Sequence, residues 1–171
     1  RIYSEKGQLT LLEALPEILA RLEVSVCFVG DNDPVYYQKL LDLAEENNIK
    51  KNIRFAGARP YSEMPEIYRR ADIVVVPSLN ETFGMTILEN MALGNVVIAS
   101  SVGAVPDLIE CEEHGMLVEP RDPHALALAI IRGLTDVDLR RRIQESAPRK
   151  AAMFDIQKTA EEVEEVYRRI L

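Results

Sequence analysis

The amino-acid sequence predicts a doubly wound α/β fold, a parallel sheet wrapped by helices and closed by a helical tail. Short β-branched runs recur at Val24–Gly30, Ile53–Gly57, Ile73–Pro77, Val96–Ala99 and Met116–Val118. Most are continuously apolar rather than alternating, the pattern of strands covered on both faces. Between them lie amphipathic stretches at helical spacing: Gln8–Leu22, Pro34–Asn47, Ser62–Arg70, Gly84–Leu93, Val105–Glu110 and Pro123–Leu134. Strand–helix alternation of this kind requires parallel strands joined by right-handed crossovers. Pro16 stands inside the first helical stretch and is expected to kink or divide it. Val137–Met153 and Ile156–Leu171 have no strand between them and are expected to pack as helices. The chain reads as one domain, with sheet and helices over 1–135 and a C-terminal helical tail over 136–171.

Bulk properties agree. The chain has 171 residues, 47% hydrophobic and 28% charged, enough for one well-cored soluble domain. No apolar run approaches the ~20 residues needed to span a bilayer. A net charge of −8 argues against a nucleic-acid partner. It also means that a polyanionic ligand must be held by a local cationic pocket, since the global field repels it. Cys27 and Cys111 are far apart and lack the spacing of a metal site, which reads as two free thiols of a cytosolic protein.

In doubly wound sheets ligands bind beyond the carboxyl ends of the strands, so the segments that follow the strands carry the chemistry. Gly30-Asp31-Asn32-Asp33-Pro34 offers two aspartates to a metal, but reads better as a turn whose Asx residues cap the next helix. Gly57-Ala58-Arg59-Pro60-Tyr61 sets a glycine at a strand end, with Arg59 and Tyr61 able to frame a planar base; turn chemistry alone explains most of it. The segment from Pro77 to Glu89 is the most informative. There a strand ends in a polar loop and a helix starts near Gly84, placing unpaired amides where an anion can bind. Glu81 and Glu89 are candidate acceptors for sugar or ribose hydroxyls, although either taken singly reads as a solvated carboxylate. Ser100–Asp107 is rich in small residues, which suit either ligand room or a tight turn. Arg1 and Lys6-Gly7 put two cations before the first helix, a fork and a point charge for phosphate.

Taken together, these segments resemble one family. Glu81-x7-Glu89 with Phe83-Gly84 inside it is similar to the signature of glycogen-synthase-like and sucrose-synthase-like retaining glycosyltransferases of the GT-B fold. Arg1…Lys6-Gly7, Val29-Gly30-Asp31, Phe55-Ala56-Gly57, Tyr68–Asp72, Glu89–Gly94, Val97–Ser100 and His114–Val118 follow that family's order across essentially the whole chain. The sequence departs from it at Asn32, Asn95, Ala104, Asp107 and His114; the last reads as a turn residue, and His124 as first-turn surface.

The resemblance implies a Rossmann-like, C-terminal half of a GT-B fold that binds a nucleoside-diphosphate sugar. By the same resemblance Glu81 meets the donor sugar, Glu89 the ribose, and Arg1 and Lys6 the diphosphate. The amides of Phe83, Gly84, Met85, Thr86 and Ile87 hold sugar and phosphate, with Gly57 and Arg59 beside the base. No metal or other cofactor is implied. The resemblance also implies a preceding central strand and an N-terminal acceptor domain, and an enzyme of the cytoplasm or the inner membrane face acting on lipid-linked or polysaccharide acceptors. Two other readings are a GT-B epimerase or phosphorylase, whose distinct carboxylate–histidine set or pyridoxal-phosphate lysine is not evident, and a nonenzymatic docking module, which has no need of Arg1, Lys6, Glu81 and Glu89 together.

Overall fold

The computed structural model describes residues 1–155 and 164–168. Five short strands form at the five predicted apolar runs, β4 extending one residue past its run: β1 (Val26–Phe28), β2 (Ile53–Phe55), β3 (Val74–Val76), β4 (Val97–Ser100) and β5 (Met116–Val118). All pairings are parallel. β1 pairs with β2 in the register Cys27↔Arg54, while β4 lies between β3 and β5 in the registers Val75↔Ile98 and Ala99↔Leu117. The strands therefore make a two-stranded and a three-stranded sheet, and β1 and β3 each pair along one side only.

Through residue 155, seven α-helices alternate with the strands and follow them: α1 (Gln8–Leu19), α2 (Pro34–Glu46), α3 (Met64–Arg69), α4 (Met85–Ala92), α5 (Val105–Leu108), α6 (Pro123–Thr135) and α7 (Val137–Ala151). α1 packs against α2 and α6, and α4 and α6 both pack on β4. β4 is the inner strand of its sheet and is buried at every position, which explains its unbroken apolar character. β1 is less enclosed: Cys27 is exposed, with Arg54 Nη2 donating to its Sγ at 3.1 Å. The core runs continuously from Leu12, Leu15 and Ile18 of α1 through Ile98 of β4 to Leu126 and Ile130 of α6.

Pro16 does not divide α1. The helix continues across it and ends one turn later, where Ala20 N donates to Pro16 O at 3.1 Å. A proline this close to the C-terminus forfeits one hydrogen bond within a helix whose apolar face is fully buried, so packing prevails. The predicted helix Ser62–Arg70 instead opens with a 3₁₀ turn, Tyr61–Glu63, before α3. The tail begins as expected with α7, which packs against α4 and α6. Of the predicted helix Ile156–Leu171, residues 164–168 are helical and the remainder lies outside the described residues.

Helix starts follow their sequence signals. Asp33 accepts from Tyr36 N at 2.7 Å, Asp122 from Ala125 N at 2.8 Å and Asp136 from Leu139 N at 3.0 Å. The Asp31–Asp33 turn is thus a cap, as its composition suggested. The Leu139 amide, ahead of the Arg132 guanidinium, holds the Asp136 carboxyl below its ordinary value of 3.8. Stability from a depressed carboxyl is present above the unfolded-state pKa and is lost as pH falls through the folded-state value. Asp136→Ala should therefore lower the urea midpoint at pH 7, with the gap from the parent closing as pH drops below 3.8. A gap that persists unchanged in acid would contradict a charge-dependent cap.

Candidate functional site

Three loops meet at the C-terminal ends of the strands. The first is the 3₁₀ turn Ser4–Lys6, closed by Gly7 in the left-handed region at φ 66°. The second leaves β3 through Pro77 and Ser78 to Glu81, and the third leaves β4 through Ser101 to Gly103. Leu79 N donates to Glu5 O at 2.8 Å, joining the first two by backbone. A Cβ on Gly7 would lie 1.9 Å from Pro77 O, and one on Gly103 (φ 53°) would lie 1.9 Å from Glu81 O. Both positions therefore exclude every other residue twice over, by conformation and by contact. The small residues after β4 make room for the Glu81 backbone.

Within this clamp Lys6 Nζ donates to Glu81 Oε2 at 2.9 Å, and Ser78 Oγ donates to the same oxygen at 3.3 Å. The Glu81 side chain is only 17% exposed. Its other oxygen, Oε1, receives no hydrogen bond from any described residue. The pair joins residues 75 positions apart and uses both the cation and the carboxylate singled out from the sequence.

α4 starts just beyond, with Gly84 as its N-cap at φ 93°. Among the described residues no acceptor serves the amides of Met85 and Thr86, while the side chains of Phe83 and Met85 are exposed. Two of the expected donor-contact positions have internal partners here. Ile87 N already donates to Gly84 O at 2.9 Å and its side chain is fully buried, so its amide is spent inside the helix. Gly84 is itself buried: its Cβ position faces Leu108 Cδ1 at 3.1 Å and Ile87 Cδ1 at 3.2 Å, and it serves the turn rather than an approaching ligand. Phe83 packs edge-on against Phe154, with ring centroids 6.3 Å apart.

Glu89, in the second turn of α4, accepts one phenol hydroxyl at each oxygen. Tyr61 OH donates to Oε1 at 3.0 Å and Tyr68 OH to Oε2 at 3.1 Å. Burial, with the Glu89 charge next in weight, pushes the Tyr68 phenol up to about 12. The hydrogen bond to Glu89 raises the exposed Tyr61 phenol as well. Both tyrosines lie in quoted segments, but nothing in their spacing shows that they converge on one carboxylate. Gly57 O accepts from Gly30 N at 2.9 Å, and a Cβ on Gly57 would meet open space. Arg59 and Arg1 are exposed, and neither side chain forms a hydrogen bond or ion pair with a described residue. Arg1 is fixed through its backbone, its carbonyl accepting from Gln8 Nε2 at 2.8 Å.

The histidines stand apart from this cluster. His114 Nδ1 accepts from Glu110 N at 3.4 Å within a turn, and His124 pairs with Glu17 Oε2 at 2.8 Å at the start of α6. Among the described residues no group of three or more His, Cys, Asp or Glu side chains could hold a metal ion.

A parallel α/β sheet with these helices and this tail is the Rossmann-like half of a GT-B structure. The family model for glycosyl transferases group 1 matches residues 1–150, and the chain belongs to that family. It is 38% identical to the D-inositol 3-phosphate glycosyltransferase of Corynebacterium jeikeium, over 98% of this chain and 41% of that protein. It thus spans about two fifths of the curated relatives it matches. HepE of Anabaena, solved in complex with UDP and glucose, superposes with a TM-score of 0.90 at 26% identity, over 98% of this chain and 46% of that one. The C-terminal domain of a group 1 glycosyl transferase, LpcC, from Francisella tularensis superposes with a TM-score of 0.81 at 30% identity, over 90% of this chain and 82% of that one.

Gly103, closed in by a carbonyl, and Gly57, facing open space, provide a matched comparison. Gly103→Ala and Gly57→Ala both force alanine to positive φ, at about 1–2 kcal/mol for the left-handed conformation. Only Gly103→Ala adds a collision with the Glu81 carbonyl. Urea unfolding should therefore show a distinctly larger loss for Gly103→Ala, and equal losses would refute the clamp.

Proposed function

We propose that this chain is the donor-binding half of a retaining glycosyltransferase that moves a hexose from a nucleoside-diphosphate sugar to an acceptor hydroxyl. The observation that carries the reading is the clamped Lys6–Glu81 pair beside the open start of α4. A diphosphate needs local positive charge in a chain of net charge −8, and Lys6, Arg1 and the Met85 and Thr86 amides supply it. These groups also stabilise charge on the departing nucleotide, with no metal required. Glu81 has one oxygen held by Lys6 and Ser78, which leaves Oε1 to accept from hydroxyls of the donor sugar. Glu89 accepts from the ribose. Phe83, exposed beside the helix start, walls the sugar, and the loop carrying Gly57 and Arg59 borders the base.

HepE, solved with UDP and glucose, supports a nucleotide-sugar ligand for this fold. The rest of the protein, by the measure of the relatives, provides the facing acceptor surface. Bringing acceptor and donor together in the cleft contributes up to about 7–11 kcal/mol of the barrier reduction. The enzyme then works in the cytoplasm, at the membrane face where its acceptor is lipid-linked. No helix among the described residues is long and apolar enough to cross a membrane.

Assigning sugar to Glu81 and ribose to Glu89 separates two variants. Glu89→Gln should weaken nucleoside diphosphate and nucleotide sugar alike, by about 1.5–3 kcal/mol for one charged hydrogen bond. Glu81→Gln should spare the free nucleoside diphosphate and depress sugar transfer. Isothermal titration with UDP-, GDP- and ADP-sugars and the parent nucleotides reads both. Equal loss of free-nucleotide affinity in the two variants would reverse the assignment, and silence of every ligand towards the parent protein would end the donor-binding reading.

A further inference from the structure

Glu81 Oε1 accepts from no described residue, whereas each oxygen of Glu89 already accepts one phenol hydroxyl. The two phenols are held very differently. Tyr68 is half-buried in α3, and its carbonyl accepts from Asn95 Nδ2 at 3.1 Å, which ties that helix to the end of α4. Asn95 Nδ2 also donates to Asn90 Oδ1 at 2.8 Å, and Asn90 is fully buried. Tyr68 is therefore a fixed support that orients the carboxylate. Tyr61 is 72% exposed, opens a 3₁₀ turn of three residues after a loop with open space at Gly57, and makes its only side-chain hydrogen bond among the described residues to Glu89.

We propose that the Tyr61 hydroxyl is a place-holder for a ribose hydroxyl: it occupies Glu89 Oε1 until a nucleotide arrives, and the ribose displaces it. The inference rests on the donor-binding reading and adds to it a residue that sets nucleotide affinity by competition. A short hydroxyl-to-carboxylate bond is exchanged for another of the same kind, so the carboxylate is never left desolvated without a donor. The exchange lowers affinity for any ribose-bearing nucleotide by the strength of the bond given up. A ligand without ribose hydroxyls does not drive the exchange and gains nothing from removal of the phenol oxygen.

The test compares parent and Tyr61→Phe protein by isothermal titration with UDP, GDP and ADP and with their 2′,3′-dideoxy counterparts. For the nucleotide that binds, Tyr61→Phe should tighten affinity by about 2- to 10-fold, the worth of one net hydrogen bond. Affinity for the dideoxy counterpart should be unchanged. A merely structural role for Tyr61 would move both ligands together. Saturating ribonucleotide should also return the Tyr61 phenol towards ordinary titration, seen in the ultraviolet difference spectrum as the loss of one late-ionising tyrosine relative to Tyr61→Phe. Unchanged or weaker ribonucleotide binding by Tyr61→Phe overturns the place-holder while leaving donor binding intact. Failure of every nucleotide to bind the parent protein overturns both.

Discussion

The constraint on which the site depends is the close backbone approach of three loops that the chain brings together from distant positions. Gly7 admits Pro77 O and Gly103 admits Glu81 O, each into the volume a Cβ would fill. With those contacts made, the Glu81 loop has little freedom to move away from Lys6. The ion pair that results joins a one-third-exposed ammonium to a largely buried carboxylate. Its geometry is therefore set by the backbone, and the pair need not supply the energy that forms it. Surface pairs such as Arg141–Asp138 lack such a frame and contribute little by comparison.

The sheet serves this arrangement by delivering loop ends in register. β3 and β4 run parallel with Val76 opposite Ala99, so the loops carrying Glu81 and Gly103 leave from adjacent levels. Ser101 N donates to Val118 O at 2.8 Å, extending the ladder past the end of β4 before Gly103 turns beneath Glu81. α4 then starts at a fixed height above β3, and Ile87 and Met91 anchor it in the core. Rigid elements thus hold the open amides and the two carboxylates, which is the condition for recognising a ligand by geometry.

Strands and most helices were legible because their signals are local. Continuous apolar runs marked β3 and β4, and Asp33 marked a helix start by the chemistry of a side-chain oxygen meeting a free amide. Glu81, Lys6 and Glu89 were legible only as members of an ordered family pattern. Composition gives no reason for residues 6 and 81 to touch. Tyr61 and Tyr68 could not be assigned to Glu89, since their convergence depends on where the β2–α3 loop crosses α4. The sequence does not reveal that the first turn of α4 tightens onto Gly84 O, where Ile87 N donates. Ser78 carried no signal beyond lying in a polar loop, and the small residues around Gly103 suited ligand room or a tight turn equally, with no sign of the carbonyl they admit.

A double-mutant cycle on nucleotide-sugar affinity, with Lys6→Met, Glu81→Gln and both together, tests the central claim most directly. If the clamp makes the pair one unit, the double variant loses much less than the sum of the two single losses, with a coupling energy of about 0.5–3 kcal/mol. Strict additivity, with each side chain contributing on its own, would contradict the account.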